Sequence, residues 1–186
     1  PGRILVRHFQ GIGMTQFSGN GPDDVFDATP YLKLVFDKEG RWFQNGAEII
    51  HSEVYLLFSR SLERAHDGAY QVRIGKEICR VEVEDAPFVV RNVTELSKDC
   101  FRLELNDGTG EIFEPERFWI GEENVPYTSV KEGQFHARFL RPAYYELAKH
   151  IVSDADEKRF YLEQDGKRIP VRMDQPDKHS PGDPCD

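Results

Sequence analysis

Arg138, Arg141, Tyr144 and Tyr145 fall within eight positions of one another, with His136 just ahead of them. Two guanidinium groups can grip a phosphate or carboxylate through paired N–H donors, and two phenols can add hydroxyls or a stacking face. Pro142 fits the first position of a helix, where a missing N–H costs nothing. A helix N-terminus offers free N–H groups and a partial positive charge, so this cluster points to an anion site. The same arginines also read as partners for local acids on a mostly acidic surface. Glu84 and Asp85 form a second candidate. Adjacent carboxylates can push one pKa upward and support acid–base work. Within Glu84-Asp85-Ala86-Pro87-Phe88 they equally read as a structural corner, in which Asp bonds its own backbone, Pro sets the bend and Phe anchors it.

Other chemistry finds little footing. His8, His51, His66, His136, His150 and His179 include no pair at helical metal-ligand spacing. Cys79, Cys100 and Cys185 are odd in number and contain no Cys-x-x-Cys, so neither a disulfide framework nor a zinc site is indicated. Cys79 lies in an alternating pattern and reads as a small buried apolar residue. Gly11-Ile12-Gly13 lacks the third glycine of a dinucleotide fingerprint, and serine elbows and phosphate loops are absent. No catalytic residue, metal or cofactor is assigned.

The elements that must position these residues follow from pattern. The chain has 186 residues, 39% hydrophobic and 31% charged, which bounds it to one or two globular domains. A formal net charge of −9 argues against extended nucleic-acid binding, which rests on phosphate attraction. No apolar run approaches the length of a membrane span. The apolar part of Pro1–Phe9 is too short for a secretory signal, and a cytoplasmic location is expected on these missing signals. Residues 1–30 are rich in turn formers and read as an N-terminal arm. Leu32, Leu34 and Phe36 alternate as a strand, Asp37–Gly40 turns, Trp42 and Phe43 resume, and Asn45-Gly46 turns again. Ser52 is a good N-cap, and Val54, Leu57, Phe58, Leu62 and Ala65 recur at helical spacing until Asp67-Gly68. Tyr70, Val72 and Ile74, then Cys79, Val81 and Val83, make a hairpin across Gly75-Lys76. Later, Phe101, Leu103 and Leu105 turn at residues 106–110 and return through Ile112 and Phe113. Phe118, Trp119 and Ile120 pack inward, and Phe135, Ala137 and Phe139 alternate. Tyr144, Leu147, Ala148, Ile151 and Ala155 then form a helical face. Phe160 and Leu162 turn at Asp165-Gly166 and return through Ile169, Val171 and Met173. Residues 174–186 hold four Asp, three Pro and no large apolar side chain, and are expected to be disordered.

Residues 52–83 and 142–173 read alike at a constant offset of 90 positions. Tyr55 falls on Tyr145, Leu57 on Leu147, Phe58 on Ala148, Leu62 on Val152, Ala65 on Ala155, Val72 on Leu162, Cys79 on Ile169 and Val81 on Val171. A helix with one hairpin cannot bury its apolar face alone, but two such units can shield each other and leave a cleft at their seam. The expected fold is therefore α+β, built from two related helix-plus-antiparallel-hairpin units over residues 31–93 and 94–173.

Leu56-Leu57-Phe58-Ser59 with Leu62, then Asp67-Gly68 and Tyr70, and above all Val81 through Phe88, resemble the bacterial domain-of-unknown-function family 1285. Ala137-Arg138 through Arg141, with Tyr144-Tyr145-Glu146-Leu147, resembles that family's second half, so the likeness runs over residues 36–173. It implies a two-part fold with repeated motifs, a second half like a small pleckstrin-homology barrel or curled sheet, a ligand site at the interface of the repeats and a role in signalling. Ile74-Gly75 and Glu77-Ile78 stand where the family tends to have Thr-Pro and Glu-Lys. The function expected from residues and resemblance together is non-enzymatic: a small anionic, nucleotide-like ligand bound at the repeat interface by Arg138, Arg141, Tyr144, Tyr145, Glu84 and Asp85. The alternatives are a protein–protein adaptor and a hydrolase using Glu84, Asp85 or a histidine.

Overall fold

The computed structural model describes residues 25–98, 100–154, 159–164 and 166–173. Most of the expected arm, Ala155 and the acidic tail lie outside them. Among the described residues the chain is mostly sheet with two α-helices, an α+β arrangement. By Cα packing it divides into two compact units, Pro1–Pro87 and Phe88–Asp186. Val93 lies inside a single ten-residue strand, Phe88–Ser97.

Unit 1 runs β1 (Phe26–Asp27), β2 (Leu34–Phe36), β3 (Trp42–Gln44), β4 (Ala47–Glu48), α1 (Ser52–Arg60), β5 (Leu62–Arg64), β6 (Tyr70–Ile74) and β7 (Glu77–Val83). Its sheet has the order β4-β3-β2-β7-β6-β5, with β1 beside β7. The pairs β2–β3, β3–β4, β5–β6 and β6–β7 are antiparallel, whereas β2 and β1 run parallel to β7. Asn45 and Gly46 take positive φ values of 49° and 85°, the left-handed pair that a two-residue hairpin turn requires. The core gathers around Trp42, fully buried, with Phe36 at 5.0 Å and Phe58 edge-on at 5.6 Å. Alternation of Leu34 and Phe36, both buried, sends them to one face of β2. Val54 and Phe58, one turn apart on α1, meet that core.

Unit 2 runs β8 (Phe88–Ser97), β9 (Cys100–Leu105), β10 (Gly110–Ile112), β11 (Phe118–Ile120), β12 (Pro126–Val130), β13 (Phe135–Phe139), α2 (Arg141–Ala148), β14 (Ile151–Ser153), β15 (Phe160–Gln164) and β16 (Lys167–Pro170). Six strands form a sheet ordered β10-β9-β8-β13-β12-β11, in which only the β13–β8 pair is parallel. Register shifts along β8–β9, after Val90 and after Glu95, are irregularities of the kind that bend a sheet. Phe113 makes edge contacts with Phe101, Phe118 and Phe139 at 5.8–6.4 Å and so fills the middle of the unit. A three-stranded sheet, β14-β15-β16, follows α2.

Both helices are shorter than their periodicity implies. α1 stops at Arg60, and Leu62 enters β5 opposite Val72. α2 stops at Ala148, and Ile151 enters β14 opposite Leu162. Each apolar residue satisfies a helical repeat and a strand position equally well, and partners on the following hairpin decide in favour of the strand. Asp67-Gly68 therefore joins two strands instead of capping a helix. Ser52 is the first residue of α1 rather than its cap. His51 takes the cap position with no side-chain bond, while its carbonyl accepts from Tyr55 N.

Candidate functional site

α2 starts where β13 ends. Leu140 N donates to the Val90 carbonyl at 3.0 Å, which ties the helix start to β8. Leu140 occupies the cap position with extended backbone and no side-chain cap, and Arg141 and Pro142 at the first turn are exposed. Ala143 and Leu147, four residues apart, are fully buried and fix which face of the helix points inward. Tyr144 is left half-buried beside that face, and burial raises its phenol above the ordinary range. Tyr145 is 62% exposed, its ring 6.5 Å from that of Tyr144.

Tyr144 and Ala148 form one side of a groove of about 390 Å³. Its apolar walls include Ile120 at the end of β11, Ile151, Phe160 and Val171, and its polar groups are Asn124, Tyr144 and Ser153. Ile120 is held in place by its N–H, which donates to the Arg172 carbonyl at 2.8 Å. Ser153 and Phe160 are cross-strand partners, so the pairing of β14 with β15 sets both. Asn124 follows Glu123, and both adopt left-handed backbone, φ 58° and 55°. Such conformations are costly outside glycine and persist where surrounding structure imposes them. None of the side chains lining this groove is charged.

Arg138 sits on β13, between buried Ala137 and Phe139, opposite Tyr127 and Val89 on the flanking strands. It is half-buried and engaged. The same strand face carries His136, whose ring meets Trp119 edge-on at 5.1 Å; Trp119 in turn stacks on Tyr127 at 5.6 Å and 17°. Gly121 permits this packing, because a Cβ there would come within 2.9 Å of the Tyr127 ring. Glu84 and Asp85 lie at the end of unit 1 and are exposed. Glu84 N donates to the Phe36 carbonyl and its Oε2 accepts from Lys38 N at 3.3 Å, while Ala86 and Pro87 are buried. That is the geometry of a corner. Of the six residues expected to bind ligand, Tyr144 lines the groove, Tyr145 and Arg141 share its helix, Arg138 lies on the preceding strand, and the two acids belong to the other unit.

Two polar features escape sequence reading. Lys131 Nζ donates to Asp107 Oδ2 at 2.8 Å and to Thr109 Oγ1 at 2.6 Å, and its backbone N–H meets the Glu111 carboxylate at 3.1 Å. The ammonium also lies 5.4 Å from the centre of the Phe88 ring. Burial alone would raise the Asp107 carboxyl, but hydrogen bonds from Lys131 and Thr109 outweigh it and hold the pKa below the usual range. This network clamps the β9–β10 turn to the β12–β13 turn. The Asp107-Gly108-Thr109 run signals the first turn, and nothing local signals a lysine 24 positions away. The second feature is Glu77, which has a buried carboxylate oxygen without a partner among the described residues. No group of three or more His, Cys, Asp or Glu that could hold a metal occurs among the described residues, nor does a helix long and apolar enough to cross a membrane.

No family model matches the sequence, and no curated protein matches it. Solved structures do. The fold is similar to that of a DUF1285 family protein from Silicibacter pomeroyi DSS-3, with a TM-score of 0.61 and 19% identity over 88% of this chain and 93% of that one. A DUF1285 family protein from Shewanella baltica OS155 aligns at a TM-score of 0.49 and 18% identity, over 65% of this chain and 94% of that one. The family named by the sequence resemblance and the family of these structures are the same. At 19% identity the likeness to the Silicibacter pomeroyi protein establishes the fold alone.

Proposed function

We propose that this chain, with a fold like that of a DUF1285 family protein, is a binding protein rather than an enzyme, and that a small ligand with an anionic group lies in the groove beside α2. The groove itself carries the reading. Its volume, about 390 Å³, falls within the range of roughly 300–1,000 Å³ typical of small-molecule sites. Apolar walls with a few polar residues, here Asn124, Tyr144 and Ser153, are the usual composition of such a site. A buried charge would be costly against this lining, so the anionic group belongs at the groove's mouth. Arg141, three residues before Tyr144 and adjacent to it along the helix, is the guanidinium we assign to that group.

We also read the two units as copies of one motif. In both, a helix is followed by a short strand and a hairpin. The hairpin registers correspond at the offset of 90: Gln71 faces Arg80 as Tyr161 faces Pro170, and Val72 faces Cys79 as Leu162 faces Ile169. In that alignment Phe58 corresponds to Ala148. Phe58 is buried against Trp42, whereas Ala148 lines open space. The small side chain at 148 is what leaves the groove unfilled.

Ala148→Phe tests this reading, since the matching position of unit 1 already accommodates a phenyl ring. Nucleotides, organic phosphates and carboxylates would be screened by thermal shift against the wild type, Ala148→Phe and the Arg138→Ala/Arg141→Ala pair. A compound that stabilises the wild type and loses its effect in both variants, with circular dichroism unchanged, supports the site. Stabilisation that survives both variants, or a screen in which no compound stabilises the wild type, removes it.

A further inference from the structure

In unit 1, Ala28, Leu34, Phe58, Val72, Ile74, Ile78 and Cys79 wall an apolar crevice with about 10 Å³ of free space, the scale of one water molecule. Glu77 is the single ionisable carboxyl on its wall, and the buried oxygen of that carboxyl has no hydrogen-bond partner among the described residues. An oxygen in this position is tolerated far better on a neutral carboxyl than on a carboxylate.

One side of the crevice is closed by a strap, residues 26–32. Phe26 N donates to the Lys76 carbonyl and Ala28 N to the Ile78 carbonyl, both at 2.8 Å, on either side of Glu77. Further along, Arg80 N donates to Thr29 Oγ1 at 2.9 Å and the Cys79 thiol to the Leu32 carbonyl at 3.3 Å. Ala28 and Leu32 are each 2% exposed. The strap is therefore a short parallel strand with a few side-chain ties, laid directly over a crevice that contains an acid.

We propose that Glu77 is a proton-operated latch for this strap: the neutral carboxyl keeps the crevice dry and the strap down, and ionisation admits water and lets residues 26–32 lift from β7. The charged groups on the packed elements do not relieve the ionised form. Asp27 on β1 is itself acidic and exposed. Lys76 in the β6–β7 turn points to solvent, Arg73 on β6 is paired with Glu63 at 2.7 Å, and Arg80 on β7 is paired with Asp67 at 2.8 Å. Glu53 and Arg60 on α1 are exposed. Burial alone raises the Glu77 carboxyl above its ordinary value. The Cys79 thiol, pushed up by burial to about 11, stays neutral throughout and does not share the titration. A raised carboxyl binds its proton more tightly in the closed form. Closure is then fully favoured below the ordinary glutamate value of about 4.3 and weakens as pH rises through the raised one.

Amide hydrogen exchange on the full chain reads this strand by strand. Protection at Phe26 and Ala28, corrected for the intrinsic rate, should fall several-fold as pH rises from below about 4.3 through the raised Glu77 value, while β6 amides of the same unit hold theirs. Glu77→Gln, a permanently neutral isostere, should keep the strap protected across that range, and Glu77→Leu should do so as well. Identical pH profiles for the wild type and both variants would overturn the proposal. So would parallel loss of protection in the strap and β6, which would mean that the whole unit opens.

Discussion

Ser59→Ala is the sharpest test of how unit 1 is held together. Trp42 is fully buried and Ser59 is 1% exposed, and Trp42 Nε1 donates to Ser59 Oγ at 2.9 Å. An indole N–H is a donor only, so it cannot find satisfaction by reversing its role. Removing the hydroxyl deletes this bond and strands the donor in a site already filled by Phe36 and Phe58. A buried donor left unsatisfied costs about 1–3 kcal/mol. For a unit of this size each kcal/mol is worth roughly 4–8 °C in Tm, so unit 1 should melt on the order of 4–24 °C lower. The two units each contain one tryptophan, Trp42 and Trp119, so urea unfolding followed by fluorescence in a Trp119→Phe background reports unit 1 alone. Trp42→Phe removes the donor and with it the fluorescent probe, so the mutant cycle that the double variant completes is followed by circular dichroism, and its coupling should be about 1 kcal/mol or more. A Ser59→Ala loss below roughly 0.5 kcal/mol, with no coupling to Trp42→Phe, would show that water or a shifted neighbour satisfies the indole and that this bond does not organise the core.

Three further outcomes follow from the geometry. Lys131→Met leaves Asp107 buried without its ammonium. Because the lysine is 26% exposed, the cost at pH 7 should be about 1–3 kcal/mol, below the full penalty for breaking a buried pair. The wild-type Asp107 is held below the usual range, so its contribution is complete above the unfolded value of about 3.9 and is lost as pH falls through the lower folded value. Urea midpoints of wild type and variant should therefore converge as pH falls below about 3.9 and through the lower folded value, and parallel curves at all pH values would contradict the assignment. Gly121→Ala places a Cβ within 2.9 Å of the Tyr127 ring and should cost about 1–3 kcal/mol through displaced packing, measured by the fluorescence of Trp119, which stacks on that ring. Asn45→Val puts a β-branched residue at φ 49° in a hairpin turn and should destabilise unit 1 by about 1–2 kcal/mol by denaturant melt, whereas Asn45→Gly keeps that backbone, loses only the exposed bond from Lys33 N to Asn45 Oδ1, and should cost less than Asn45→Val.

How much could be read in advance depends on how local the cause is. Asn45-Gly46 turns where its dipeptide says it should, since left-handed backbone is a property of those two residues. Leu34 and Phe36 are buried on one face as their alternation requires. Leu62 and Ile151 were not legible. Their spacing serves helix and strand alike, and the partners that settle the matter, Val72 and Leu162, lie ten or more positions away. Tyr144 was found through its place near a helix start, while Asn124, Ser153 and Ile120 gave no signal because each is an ordinary residue until the groove brings them together.

The amino-acid sequence by itself determined the turns, the mixed helix-and-sheet class, the two stretches that read alike and the basic start of α2, because each arises from residues within a few positions of one another. Tertiary structure alone decided where the helices end, which lysine clamps Asp107, which carboxyl oxygen faces an apolar crevice and where a groove opens. Those are matters of distance between segments remote in the chain. The pattern of a single segment specifies which face it will bury, and only the folded whole specifies what that face will meet.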